Sequence, residues 1–401
     1  MPGYEWIGAE EKGQVNQVLD TGVLFRYEFM KERSGVYKVK EFEEKFASYT
    51  GAPHAHAVTS GSAALKVALA ALGIRPGDEV ITQGFTFIAT FEAIIEAGAV
   101  PIPAEIDETL NMDPEDFERK ITSRTKAVIP VHMLGSPARI KEIVAIAGKH
   151  GIKVIEDTAQ ALGAEVEGKK LGTLGDMGTF SFDFYKTITT GEGGMVVTSD
   201  RDLYIRASEY ADHGHDHNPS VGRALDGRNF LGFNYRMNEL NGAVGLAQLN
   251  KLDAIIRRQE QNQAPISKTL ESIPGVTLRK LPESGRESFT HICFFLPDGE
   301  KAARFHRSLV EKGVTVIYFK NNLWHFLPNW EHVIEKKTAW PGPYPFGGPL
   351  YPDEITYSKE MLPGSTAIID RLLVIPVFLN TSQDQLAGIS KALMATAKEV
   401  V

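Results

Sequence analysis

Between about residue 55 and residue 200 the chain switches repeatedly between two hydrophobic rhythms. Short apolar or β-branched runs occupy 79–82 (EVIT), 99–104 (AVPIPA), 126–132 (KAVIPVH), 152–156 (IKVIE), 178–182 (GTFSF) and 194–198 (GMVVT), and each predicts a strand. Helix-spaced stretches lie among them at 62–72, 88–97, 113–121 and 137–149. In the last, Ile140, Ile143, Val144 and Ala147 fall on one helical stripe. Pro114 and Pro137 are read as first-turn prolines. Strands alternating with helices of this length predict a largely parallel sheet covered on both faces.

The pattern then changes. Residues 200–222 read as a helix running into a polar Gly/His/Asp loop, and 237–272 as a long amphipathic helix ended by Pro274-Gly275. Beyond it, strands are expected near 289–296 and 314–319 with a helix at 300–312 between them. An irregular Pro/Gly-rich excursion follows at 341–352, and a final helix at 382–398. The organisation expected is a large α/β domain over 1–274 and a smaller α+β domain over 275–401.

Composition narrows the function more than the fold. Across 401 residues, 43 Lys+Arg face 51 Asp+Glu, a net charge of −8. That balance lacks the electrostatic footprint of a nucleic-acid binder. No apolar run approaches the roughly 18 residues of a membrane span. The opening MPGYEWIGAEEKGQ has neither a basic nor an apolar leader region, so a cytoplasmic protein is expected. The single cysteine, Cys293, cannot close an intrachain disulfide.

Three groups of residues carry candidate chemistry. Thr59-Ser60-Gly61-Ser62 opens a helix with small hydroxyl residues, which suits a phosphate; Ser60 as a plain N-cap is the alternative. Asp157 follows the apolar run IKVI at a strand's carboxyl end, where open α/β sheets bind ligands; a helix cap is the alternative. Lys186 follows the aromatic stretch SFDFY and precedes the glycine-rich turn TGEGG. Singly it reads as a surface lysine. Beside apolar residues its ammonium form is disfavoured, which is how a lysine becomes a Schiff-base nucleophile. Together the three supply what pyridoxal phosphate requires: a phosphate anchor, an acid for the ring nitrogen and a lysine for the aldehyde.

The strings TSGSAAL, PGDEVI, TFIAT, AGAVPI, EDTAQALGA, GDMGTFSF…K, GEGGMVVT and NYRMNELNGAVGLAQL resemble, in order and spacing, those of the DegT/DnrJ/EryC1/StrS family of sugar aminotransferases. LVEKGV and LVIPVF continue the likeness into the small domain. The resemblance implies the aspartate-aminotransferase-like fold (fold type I), with a mixed, mostly parallel sheet in the large domain. It implies pyridoxal 5'-phosphate as cofactor and a homodimer with composite active sites. Lys186 would be the Schiff-base lysine and proton shuttle, and Asp157 the partner of the pyridinium nitrogen. Gln160 would lie on the ring-hydroxyl side, and Gly61, Ser62 and Ser181 would hold the phosphate. Phe87 would stack on the ring, and Asn234 would reach the phosphate of the neighbouring subunit.

Two departures stand out. Asp183 replaces the His or Phe that many members carry, and the segment VLFRYEFMKERSGVYKVKEFEEKF lacks the usual glycine-proline turn. FRYEF, DHGHDH at 212–217 and LWHFLPNWEH at 323–332 resemble the branch that makes 8-amino-3,8-dideoxy-D-manno-octulosonate. That likeness implies amination of an 8-keto sugar acid by L-glutamate, with Arg26, His215 and Arg228 as candidate partners for the acid's carboxylate. The more usual acceptors are 3-keto or 4-keto nucleotide-linked sugars. His213, His215 and His217 would share a face of an extended segment, as metal ligands do, but transamination needs no metal and none is expected. A dehydratase relative would replace Lys186 with His or carry cluster-binding cysteines; a non-catalytic sugar sensor would keep only the fold.

Overall fold

The computed structural model describes residues 3–339, 342, 344–352 and 355–401. Helices α1 (Ala9–Thr21) and α2 (Lys38–Thr50) precede strand β1 (His54–Val58). Strands and helices then alternate: α3 (Gly61–Ala71), β2 (Glu79–Gln83), α4 (Ala89–Glu96), β3 (Val100–Ala104), α5 (Pro114–Arg119) and β4 (Thr125–Ile129). Helix α6 (Ile140–His150) leads into β5 (Lys153–Asp157), and the short β6 (Glu165–Val166) and β7 (Lys169–Lys170) follow. The large sheet is completed by β8 (Met177–Ser181) and β9 (Gly194–Thr198), before α7 (Arg201–Tyr210) and the 33-residue α8 (Glu239–Glu271).

The seven strands are ordered β1-β9-β8-β5-β4-β2-β3. The pairs β8/β5, β5/β4, β4/β2 and β2/β3 are parallel, while β9 runs antiparallel to both neighbours. The sheet is therefore mixed and mostly parallel, as expected. Because β9 alone is reversed, the carboxyl ends of β1, β2, β5 and β8 open on one edge. Helices cover both faces: Phe42, Phe46 and Leu252 of α2 and α8 pack on Phe180 and Val197, while α3 and α7 cover Val80, Ile155 and Val196.

The remainder builds a four-stranded antiparallel sheet, β10-β12-β14-β13, from β10 (Thr277–Leu278), β12 (His291–Phe295), β13 (Ile317–Tyr318) and β14 (Leu372–Pro376). Alternation along β12 divides its side chains. Ile292 and Phe294 pack with α9 (Gly299–Glu311), α12 (Gln383–Val400) and Ile266 and Leu270 of α8. Cys293 and Phe295 face Phe85, Met133 and Leu134 of the large unit. Strand β11 (Gly285–Arg286) pairs with β6, and α10 (Glu331–Ile334) and α11 (Pro363–Ile369) flank the excursion between β13 and β14. Pro341 and Pro343 of that excursion lie outside the described residues.

Some expectations need correction. Pro114 does open α5, but α6 begins only at Ile140, so Pro137 precedes it and offers its carbonyl to the Asn111 amide. The strand β1 and helices α1 and α2 carry no expectation from the sequence pattern. Among the described residues no helix is long and apolar enough to cross a membrane.

Candidate active site

The strand ends bring the three groups together. Ser60, just past β1, accepts the Ala63 N–H at 3.0 Å and so caps α3. The cap reading is correct for Ser60 and leaves the phosphate role to its neighbours. The first intrahelical bond runs from Ala64 N–H to Ser60 C=O, so the Gly61 and Ser62 amides precede it, and both residues line the cavity, where an anion would meet them. Two glycines permit this. A Cβ at Gly61 would lie 2.7 Å from Ser181 Cβ, and one at Gly194 would lie 2.2 Å from Ser60 O. These glycines let the helix start settle onto β8 and β9.

Asp157 ends β5 and is buried. Its Oδ2 accepts the Thr90 hydroxyl at 3.0 Å and its Oδ1 the Ala159 N–H at 3.1 Å. Thr90 in turn contacts the Thr86 hydroxyl at 3.0 Å. Burial raises the Asp157 carboxyl above its ordinary value, against these hydrogen bonds and the charge of Lys186. Such a carboxyl gains most from a cation placed against it. The neighbouring Glu156 faces away, accepting the Gly172, Leu174 and Gly175 amides at 2.9, 2.6 and 2.7 Å. His132 accepts the Ala138 N–H at Nδ1 and lies 3.1 Å from Glu156 through Nε2, so a neutral ring carries its proton on Nε2.

Lys186 stands in the turn after β8, lining the same cavity as Asp157, Gln160, Ser181 and Phe87. Its pKa is lowered by burial, with Asp183 and Asp157 opposing. Asp183 shapes the turn: its carboxylate accepts the Tyr185 N–H at 2.7 Å and its carbonyl the Lys186 N–H at 3.0 Å. Gln160 is held by the Leu134 N–H at 3.1 Å. The Phe87 ring stacks on Trp324 at 6.0 Å and 13° and meets His325 at 5.4 Å. His325 is lowered to about 4 by burial and then by Lys186. Backbone bonds from Thr86 to His325 and from Ile88 to Trp324 fasten this loop to the cavity wall.

These residues fit pyridoxal phosphate. A pair of helix-start amides with two serines suits its phosphate, a buried acid its ring nitrogen, and an amine of depressed basicity its aldehyde. Sequence reasoning missed Thr90, Thr86 and His325. Thr86 and Thr90 bracket the TFIAT string, and His325 lies in the string LWHFLPNWEH.

Other expected residues lie elsewhere in the single chain. Arg26 is bound to Glu43 at 2.7 Å and to the Ala57 carbonyl at 2.9 Å. His215 contacts Asp226 at 2.6 Å, and Arg228 pairs with the same carboxylate. Asn234 is exposed, and its side chain accepts the Arg236 N–H at 3.3 Å. The DHGHDH segment is not extended: His213 and His217 have φ of 56° and 53°. Among the described residues no three His, Cys, Asp or Glu groups converge to hold a metal.

The model of the DegT/DnrJ/EryC1/StrS aminotransferase family matches residues 6–342. The spore coat polysaccharide biosynthesis protein SpsC of Bacillus subtilis is 34% identical over 398 residues, covering 98% of this chain and 95% of that one. A GDP-perosamine synthase of Escherichia coli O157:H7 is 42% identical over 265 residues, covering 66% and 69%. An aminotransferase structure from Psychrobacter cryohalolentis superposes with a TM-score of 0.84 at 26% identity, covering 98% of each chain.

Proposed function

From the premise that this chain belongs to the DegT/DnrJ/EryC1/StrS aminotransferase family and is a pyridoxal-phosphate-dependent sugar aminotransferase, we propose that it moves an amino group from L-glutamate to the keto carbon of a nucleotide-linked sugar. The observation that carries the chemistry is the convergence of Lys186, Asp157 and the Gly61-Ser62 turn on one cavity. The acceptor class is supported by the likeness to GDP-perosamine synthase. The pairing of Arg26 with Glu43 and of Arg228 with Asp226 leaves those two guanidiniums poorly placed to meet a free carboxylate.

Bound pyridoxal phosphate supplies the electron sink that stabilises carbanion character at the substrate carbon. The protein's own groups do the rest. Asp157, steadied by Thr90 and Ala159, holds negative charge where the ring nitrogen's proton would sit. Lys186, whose basicity burial lowers, would take the proton from the donor's α-carbon and deliver it to the cofactor carbon that carries the nitrogen. Gly61, Ser62 and Ser181 would hold the phosphate, Phe87 would cover the ring and Gln160 would meet its hydroxyl side. Asn234, exposed on its own chain, would act on the cavity of a second copy in a homodimer.

A second reading, an 8-keto octulosonate acceptor, rests on the sequence likeness of the FRYEF and DHGHDH strings. The FRYEF and DHGHDH strings meet in the fold: Tyr27 and His217 have ring centroids 5.0 Å apart beside Arg26. Loading the enzyme with pyridoxamine phosphate and following its reoxidation separates the two. Faster reaction with 3-keto or 4-keto nucleotide sugars supports the first reading; preference for the 8-keto sugar acid replaces it with the second.

A further inference from the structure

The first described turn of the chain, the 3-10 helix Gly3–Trp6, lies against the backbone of Lys186. Gly3 N–H donates to the Lys186 carbonyl at 3.1 Å. The approach is so close that a Cβ at Gly3 would lie 2.7 Å from Thr187 O and 2.8 Å from Ile188 Cα. One residue on, Tyr4 stacks on Phe184 at 4.6 Å and 13°, two residues before the lysine.

The same turn grips the small sheet. The Glu5 carboxylate accepts the Leu379 and Asn380 amides at 3.2 and 2.9 Å, just beyond β14. Trp6 Nε1–H donates to Asn380 Oδ1 at 3.3 Å, and the Trp6 carbonyl accepts Lys251 Nζ of α8 at 2.8 Å. Four consecutive residues thus join the lysine turn, the long helix and the end of the small sheet.

We infer that Gly3–Trp6 is a positioning strap: Gly3 and Tyr4 fix the backbone of the Lys186 turn, and Glu5 and Trp6 couple it to the small sheet. The inference rests on the reading of Lys186 as the lysine that carries the cofactor. Lys186 has four side-chain torsions, so where its amine falls depends on where the Gly3 and Asp183 backbone contacts set its main chain. Misplacement of a reacting group by about 1 Å costs up to roughly 10²-fold in rate.

The test compares wild-type holoenzyme with Gly3→Ala, Tyr4→Ala and Tyr4→Phe. Its readouts are the kcat and acceptor KM split, the pH titration of the bound cofactor's visible absorbance, and hydrogen exchange across 182–190. Gly3→Ala and Tyr4→Ala are expected to lower kcat about tenfold with acceptor KM within about twofold, to move the titration midpoint by about half a pH unit, and to speed exchange in that peptide. Tyr4→Phe, which keeps the stacked ring, is expected to stay within about twofold of wild type. Tyr4 is 36% exposed, so Tyr4→Ala decides the matter if Gly3→Ala fails to fold. An unchanged midpoint and kcat in Tyr4→Ala, or a Tyr4→Phe as impaired as Tyr4→Ala, overturns the strap while leaving the Lys186 assignment intact. Retention of the covalent cofactor link in Lys186→Ala overturns both.

Discussion

Asp157 and Lys186 depart from their ordinary titration in opposite directions for one cause, burial. Both shifts oppose the charged form, so each group gains from a partner of opposite charge or from covalent capture, which suits a ligand with a basic nitrogen and an electrophilic carbon. Asp157→Asn is expected to lower kcat by at least about 10²-fold, since an amide cannot hold the charge that opposes the ring's proton; steady-state rates check this. Thr90→Val removes one of the two donors on Asp157 and raises its carboxyl further. Its kcat is expected to fall about tenfold, with the low-pH limb of the rate profile shifted upward. Lys186 and Asp157, which line one cavity, stood out in the sequence because each sits at a marked place, after an aromatic strand and at a strand end. Thr90 and His325 did not, because their importance arises from contacts across 67 residues and between remote segments.

At the scale of elements, β2 to β5 announce themselves through apolar runs, as strands buried on both faces must. β1 reads HAHAV, and its small alanines pack under α2 while His56 turns to the other face, so no apolar run marks it. The structure places Gly61 and Gly194 in contact with protein, where helix start and strands touch. Gly194→Ala is expected to cost about 1–3 kcal/mol and loosen cofactor retention, measured by Tm and by dialysis against buffer. A second element, the 212–236 loop, is knotted by Asp212, whose buried carboxylate accepts Arg223 and Arg236. Burial alone would raise this carboxyl, but the two guanidiniums outweigh it and hold it at about 2 against an ordinary 3.8. Its folded value lies below its unfolded one, so its stabilisation is present above 3.8 and is lost as pH falls toward 2. Asp212→Asn should therefore cost about 3 kcal/mol at neutral pH and flatten stability through that window, as denaturant titrations at several pH values would record.

For the whole molecule, the acidic balance of −8 and the binding of an anionic cofactor require positive potential to be local. The start of α3, at Gly61 and Ser62 on the cavity wall, is where such potential is available. The 212–236 loop exposes Leu225, Leu231 and Phe233, by 80%, 95% and 64%, next to the exposed Asn234. These apolar side chains suit the face of the proposed homodimer. Leu231→Asp is expected to shift the sedimentation coefficient to that of a monomer and to lower activity with it. The approach of Trp324 and His325 to Phe87 was least legible in sequence, because a chain's pattern does not record which distant segments meet.

Lys186 is proposed to carry the cofactor in the cavity it shares with Asp157 and the Gly61-Ser62 turn. Borohydride reduction of the holoenzyme followed by peptide mapping tests it directly. A phosphopyridoxyl group is expected on Lys186 and none in Lys186→Ala; a label on any other lysine overturns the assignment.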